Sequence, residues 1–488
     1  MAGHLLTQTR SLGVPLRLCR VWTGRAVAIA PNFSGHSVVD INSTRSALTM
    51  SQSAKYYIDF VYDEVASLRT LGLDKKTYSD TVDAQGHQYI DLVLEGGGIL
   101  GVALLGYIYI LEQAGIRFLG LGGNSAGSIT ALVTAAIDEP EKPKAERLTA
   151  ILANMPMDTF IDGDSDARKF VQAMLSRDTG LIRKFFTGVQ VIDNVYNDLG
   201  LNPGDVFKQW VTDTLEGFGI KSVAALRQRM ATLPAGGLHR RGSSEPIEFP
   251  ADGNNLCLIT ADISTETRVE LPRMAKLYWR DPEQLHPAEF ARASMSIPLF
   301  FQPYIIKNAD VLRGPEQKQL WRDLAGFSEQ GVEDRVAPGD WLPYQFVFVD
   351  GGVMSNFPID AFHKNGQAPR RPTFGVKLQW DDRCHQITKP ETLVAQLLNS
   401  ARHTLDYEFI RRNPDYQHLV SFIDTADHDW LNFELTDEKK LDLFKRGAKT
   451  GLNFLKDFNW EGYKKIREGL ASAQVASDVL WQDRQKQQ

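Results

Sequence analysis

Short apolar runs separated by glycine-rich breaks begin at Tyr89, and their lengths predict the elements. Tyr89-Ile90-Asp91-Leu92-Val93-Leu94 reads as a short, mostly buried strand. Glu95-Gly96-Gly97-Gly98 is a loop, and Ile99 to Glu112 is an apolar helix ended by Gly115. Phe118 to Leu121 is a second strand, and Gly122 to Gly127 turns sharply into a helix that runs through Ile137. Strand, loop, helix, strand, turn, helix is the order of an α/β fold with a largely parallel sheet.

Further strands are expected at Leu256 to Ile263, Phe346 to Val349 and Phe374 to Leu378. From Ile151 to Met230 the pattern is helical, with Val206-Phe207 and Trp210-Val211 spaced for one face. Leu233 to Pro250 and Lys307 to Pro343 carry the breakers and charges of mobile insertions. After Leu435 the apolar positions Leu441, Phe444, Ala448, Leu452 and Leu455 return at helical spacing. The expected architecture is a three-layer α/β/α sandwich with a mostly parallel central sheet, plus a helical C-terminal region. Its divisions are a leader over 1–50, a catalytic domain over 85–380 and a helical extension over 381–488 packed on that domain.

Composition narrows the function. The chain has 488 residues, 43% hydrophobic and 23% charged, with a net charge of -6, which is ordinary for a globular protein and speaks against nucleic-acid binding. The three cysteines, Cys19, Cys257 and Cys384, are too scattered for a disulfide framework or a cysteine zinc site and fit a reducing, cytoplasmic setting. The longest apolar stretch, Ile99 to Leu111, is shorter than the roughly 20 residues that span a bilayer. Arg10, Arg17, Arg20 and Arg25 all precede the first acidic residue, Asp40. A mitochondrial transit peptide and a leader ahead of Met50 both fit; Pro15 and Pro31 weaken the amphipathic helix that the first requires.

Three glycine-rich segments carry candidate chemistry. Gly123-Asn124-Ser125-Ala126-Gly127 fits G-x-S-x-G, in which small flanking residues let a serine sit exposed at a strand-to-helix bend. Gly96-Gly97-Gly98, with Gly101 in the next turn, frees backbone N–H groups to converge on an anion. The same glycines satisfy a dinucleotide G-x-G-x-x-G pattern, but the second strand runs into Gly122-Gly123-Asn124 without the acidic ribose partner. Asp350, at the end of an apolar strand and before Gly351 and Gly352, is either a base at a sheet edge or an ordinary turn residue.

Together the three segments resemble the patatin-like phospholipase family. The resemblance rests on Glu95-Gly96-Gly97-Gly98-Ile99-Leu100-Gly101, Gly123 to Gly127 and Asp350-Gly351-Gly352, in the family's order. Ala293 to Pro303 and Asn356-Phe357-Pro358 are similar as well, and Leu100 stands where the family usually has a lysine or arginine. The resemblance implies a lipid acyl hydrolase in which Ser125 attacks an ester carbonyl and Asp350 takes its proton. Gly96, Gly97 and Gly98 would form the oxyanion hole, supported by Gly101, Gly123, Gly127, Gly351 and Gly352. It implies no metal and no cofactor; the expected partners are a lipid substrate and, transiently, a membrane surface.

Rival readings are an α/β-hydrolase with a histidine from His385, His403, His418 or His428, and a non-catalytic lipid- or nucleotide-binding protein. The basic C-terminal residues Lys445, Arg446, Lys449, Lys456, Lys464, Lys465 and Arg467 are either a headgroup-docking face or a solvated helix surface balanced by Asp437, Glu438 and Asp442. An enzyme silent until an activating partner binds is compatible with the same sequence.

Overall fold

Strands buried along their whole length set the core: β1 (Gln88–Leu94), β2 (Ile116–Asn124) and β3 (Leu256–Asp262). Such uninterrupted burial belongs to parallel strands covered on both faces. The computed structural model describes residues 54–163, 199–247, 255–307, 315–327, 342–362, 367–379, 409–425 and 435–486, with 387, 400 and 428 as isolated positions. The expected leader, residues 164–198 of the expected helical region, Cys19, Cys384, His385 and His403 lie outside the described residues.

Thr373–Gln379 (β7) pairs parallel with β1, and Val420–Asp424 (β8) pairs parallel with β7. On the other side β1 pairs parallel with β2, and β2 with β3. β4 (Thr267–Leu271) and β6 (Gln345–Asp350) pair antiparallel with β3, and β5 (Tyr304–Lys307) pairs antiparallel with β6. The short strands Thr81–Val82 and His239–Arg240 extend the sheet from β1. The result is an α/β sandwich with a mixed sheet whose centre is parallel. β8 was not anticipated, because the region after 381 was expected to be helical. Its burial alternates from Ser421 on, with Phe422 and Asp424 exposed, as befits a sheet edge.

Helix α1 (Val102–Gln113) buries all but its last residue. It lies between the sheet and the long C-terminal helix α5 (Asp437–Asp457), with backbones so close that a Cβ at Gly106 would collide with the Phe444 carbonyl. The expected stripe of α5 is present: Leu441, Phe444, Ala448 and Leu455 are buried, and Leu452 packs against the core. Helix α6 (Trp460–Lys486) follows after a short break. Among the described residues, no helix is long and apolar enough to cross a membrane.

Two local expectations need correction. On α3 (Asp205–Glu216) the buried face is Phe207, Val211 and Leu215, whereas Val206 is exposed. One residue of helix is a rotation of about 100°, enough to carry Val206 off the stripe. The second expected insertion is in part a helix, Pro315–Ala325, whose Trp321 is fully buried against Tyr278 and Phe346.

Candidate active site

The register of β3 brings two strand ends together. β4 occupies one edge of β3 from Leu258 to Asp262. β2 and β6 therefore share the other edge end to end: Asn124 of β2 pairs with Ile259, and Asp350 of β6 with Thr260. The sequence placed Asp350 at the end of an apolar strand without giving that strand's direction. β6 is antiparallel, and Asp350 reaches the site because the strand stops where β2 ends.

Ser125 sits at the bend between β2 and α2 (Ala126–Ile137), with φ 51 and ψ -122. A non-glycine residue in this region stores strain of about 1–3 kcal/mol, which the surroundings must hold. They do so on both sides of the peptide. The Ser125 N–H donates to Ser294 Oγ at 3.0 Å, and its carbonyl accepts from Ser128 Oγ at 2.7 Å and Ile129 N at 3.1 Å. Gly123 and Gly127 are in contact with each other, and a Cβ on Gly127 would run into the Leu94 carbonyl. The motif's glycines are thus required by close backbone approach.

The glycine loop leaves the end of β1 beside this elbow. Glu95 is anchored by Lys377 Nζ and the Leu378 N–H, each at 2.6 Å. Gly98 has φ 55, a left-handed conformation that glycine adopts without penalty. Gly101 packs on the first residue of α2, Ala126. Gly96 corrects the expected oxyanion set: its N–H donates to the Asn356 carbonyl at 3.1 Å, and Asn356 Nδ2 donates back to the Gly96 carbonyl at 3.0 Å. Its N–H is committed to structure, leaving Gly97 and Gly98 as the candidate donors.

Asp350 has two unlike oxygens. Oδ1 accepts from Asn124 Nδ2 at 3.0 Å and from the Gly352 N–H at 2.7 Å. Oδ2 is buried and has no hydrogen-bond partner among the described residues. Gly351 packs against Ile259 and the Asn124 side chain. The Ser125 hydroxyl does not donate to Asp350; it donates to Met295 Sδ at 3.2 Å. Ser125 and Met295 are each only 2% exposed and Asp350 5% exposed, so the site is closed in this state.

The segment that closes it follows helix α4 (Ala288–Ser294). Buried Arg292 braces this segment, donating to Ser296 Oγ, the Pro203 carbonyl and the Gln302 carbonyl at 2.6–2.8 Å. Behind it, Phe301 packs against Phe207 and Phe300. From the sequence, Ile297 to Phe301 are expected to form an apolar lid or cleft with the Ile151 to Met230 helices, but Met295 is given no role. Asn124, occupying a variable position of G-x-S-x-G, was passed over, because no spacing rule says where its side chain points.

Among the described residues, no histidine hydrogen-bonds to the Ser125 hydroxyl, whose partner is Met295. His428 pairs with Asp442 at 3.2 Å, and His418 lines a surface groove of about 530 Å³ between β8 and the C-terminal helices. Cys257 is buried, which pushes its thiol well up from the ordinary value and leaves it a poor nucleophile.

A serine strained into a strand-to-helix bend, beside a glycine loop and a buried carboxylate on an α/β sandwich, is the arrangement a serine acyl hydrolase needs. Residues 92–363 match the model of the patatin-like phospholipase family, and the chain belongs to that family. It is a lipid hydrolase by that membership. Over 375 residues it is 26% identical to the uncharacterized protein YqhO of Bacillus subtilis (strain 168), covering 76% of this chain and 100% of that protein. Among solved structures it is similar to VipD from Legionella pneumophila, with 13% identity and a TM-score of 0.37, covering 78% of this chain and 71% of that one. It is also similar to the type III effector protein ExoU, with 15% identity and a TM-score of 0.29. That match covers 75% of this chain and 53% of ExoU, so the chain spans about half the length of that protein.

Proposed function

We propose that this protein hydrolyses fatty-acyl esters of phospholipids or other glycerolipids with Ser125 as nucleophile and Asp350 as base. Ser125 Oγ attacks the ester carbonyl as its proton passes to Asp350, giving a tetrahedral oxyanion facing the Gly97 and Gly98 N–H groups. Collapse expels the alcohol, which recovers the proton, and leaves an acyl-enzyme. Water, deprotonated by Asp350, then attacks the acyl carbonyl, releasing the fatty acid and returning the proton to Ser125. A single preorganised oxyanion donor contributes on the order of 3 kcal/mol to such a step.

The observation that carries this reading is the contrast between the two oxygens of Asp350. One is pinned by two donors, and the other is buried at the same sheet corner as Ser125 without a partner among the described residues. Turning the serine hydroxyl from Met295 toward Oδ2 completes a dyad without histidine. Phe207 and Phe160, packed behind Phe301, offer an apolar wall for the acyl chain once the 295–301 segment moves.

The chemistry favours phospholipase A or lysophospholipase activity at a membrane surface, and the closed site suits an enzyme that opens on a lipid or an activating partner. The test is fluorophosphonate labelling scored by intact mass, followed by a panel of radiolabelled phospholipids, lysophospholipids and glycerides. One adduct that disappears in Ser125→Ala, with fatty-acid release that also disappears in Asp350→Asn, is expected. Full turnover by either variant overturns the dyad.

A further inference from the structure

We infer that Asn124, the residue before the nucleophile, is the positioning residue that aims Asp350 at Ser125. The inference rests on the dyad reading above and adds to it the group that fixes the base. Asn124 is completely buried, and both ends of its amide are engaged. Nδ2 donates to Asp350 Oδ1 and to Asn356 Oδ1, both at 3.0 Å, and Oδ1 accepts from Ser294 Oγ at 3.4 Å.

The orientation of this amide is dictated by its neighbours. Asn356 Nδ2 is committed to the Gly96 carbonyl, so its Oδ1 faces Asn124 as an acceptor. A flipped Asn124 would set its own carbonyl against that oxygen and against a carboxylate oxygen. With Nδ2 inward, one side chain links the base, the nucleophile's backbone and the start of the glycine loop. It holds Asp350 directly, reaches the Ser125 N–H through Ser294 Oγ, and reaches the Gly96 backbone through Asn356.

The consequence for the reaction is geometric. A carboxylate rotates about its Cβ–Cγ bond unless an oxygen is fixed, and the two donors on Oδ1 stop that rotation. Gly352 N–H alone comes from the residue's own turn and moves with it. Asn124 comes from β2, the strand that also delivers Ser125, so it refers the base to the nucleophile's frame. Asn124 and the Gly352 N–H are both neutral donors, and no ionised side chain pairs with Asp350 among the described residues. A carboxylate introduced at 124 would therefore face Asp350 directly.

The test compares wild type, Ser125→Ala, Asn124→Ala and Asn124→Asp as full chains hydrolysing a short-chain p-nitrophenyl ester. Folding is checked by near-UV circular dichroism. In Asn124→Ala, kcat should fall about 10- to 100-fold with KM within about threefold, part of the 10²–10⁴-fold a positioned base supplies. In Asn124→Asp, a second carboxylate faces Asp350, and the acid limb of kcat/KM should move up by about one pH unit or more. A merely structural role would leave that limb in place. Folded variants with wild-type kcat and an unmoved limb overturn the inference; if one substitution fails to fold, the other decides. Hydrolysis that persists in Ser125→Ala brings down the dyad reading itself, a result distinct from an inert Asn124.

Discussion

The Ser125 hydroxyl donates to the Met295 sulfur at 3.2 Å rather than to the carboxylate at the same sheet corner. A thioether is a weak acceptor, so this bond contributes no more than about 1 kcal/mol. The side chain's bulk, buried over the serine, is the stronger obstacle. Met295→Ala should raise the rate of fluorophosphonate labelling about tenfold while lowering stability by about 2–5 kcal/mol through the cavity left behind. Met295→Leu conserves volume, should cost less than about 1.5 kcal/mol, and should leave labelling slow. Labelling kinetics beside thermal melts check both. Fast labelling of the leucine variant would mean that the sulfur, not the bulk, holds the site closed.

Glu95 and Lys377 form a buried pair beneath the glycine loop, with side chains 2% and 9% exposed. Lys377 also lies over the Phe357 ring, 4.8 Å from its centroid. The loop is thereby tied to β7, and Leu100 leaves no cation within the loop to do this. Glu95→Gln leaves an unpaired buried ammonium and should cost about 3–5 kcal/mol. Glu95→Gln with Lys377→Met should recover much of that loss. Chemical denaturation of the two singles and the double measures the coupling; additive losses would show that the pair does not act as a unit.

The strands with uninterrupted apolar runs were legible because burial on both faces leaves its mark residue by residue. The elbow was legible because G-x-S-x-G combines a bend with small residues that the backbone contacts at Gly123 and Gly127 require. Strand direction was not. Phe346 to Val349 reads alike in either sense, and only the register on β3 reveals that Asp350 arrives antiparallel. The same limit hid β8, a short half-exposed edge strand, and the commitment of the Gly96 N–H to Asn356 across 260 residues of sequence. Long-range polar partners have no periodicity to betray them.

Helices α1 and α5 meet through glycines. A Cβ at Gly447 would collide with the Ala103 carbonyl, as one at Gly106 would with Phe444. The approach lets Tyr107 and Ile110 pack against α5 near Gly451. Gly447→Ala improves local helix propensity by about 1 kcal/mol. The collision is with backbone and cannot be relieved by a rotamer, so the net effect should be a loss of at least about 2 kcal/mol. An unchanged or raised melting temperature would show that the two helices can separate without loss. The C-terminal region would then be dispensable to the core.

Lys144 and Glu112 supply a pH dependence of known sign. Burial lowers the Lys144 ammonium from 10.5 to about 8, with Glu112 pulling it partly back up. Burial also raises Glu112, partly offset by the Ala145 and Lys144 N–H groups that its carboxylate caps. A lysine depressed in the folded state binds fewer protons there than in the unfolded chain. Stability from this group must therefore rise as pH climbs from about 8 to 10.5, and it is penalised below that window. Lys144→Met removes the buried charge and should stabilise the protein at pH 7 by on the order of 2 kcal/mol. That advantage should shrink toward zero near pH 10. The comparison must be the difference between variant and wild type, because buried tyrosines such as Tyr57, pushed up to about 12, titrate in the alkaline range too. Their raised values make stability fall with pH, the opposite sign, and they cancel in the difference. An advantage that stayed constant from pH 7 to 10 would show that Lys144 is not depressed, and that the nearby Glu112 carboxylate offsets its burial.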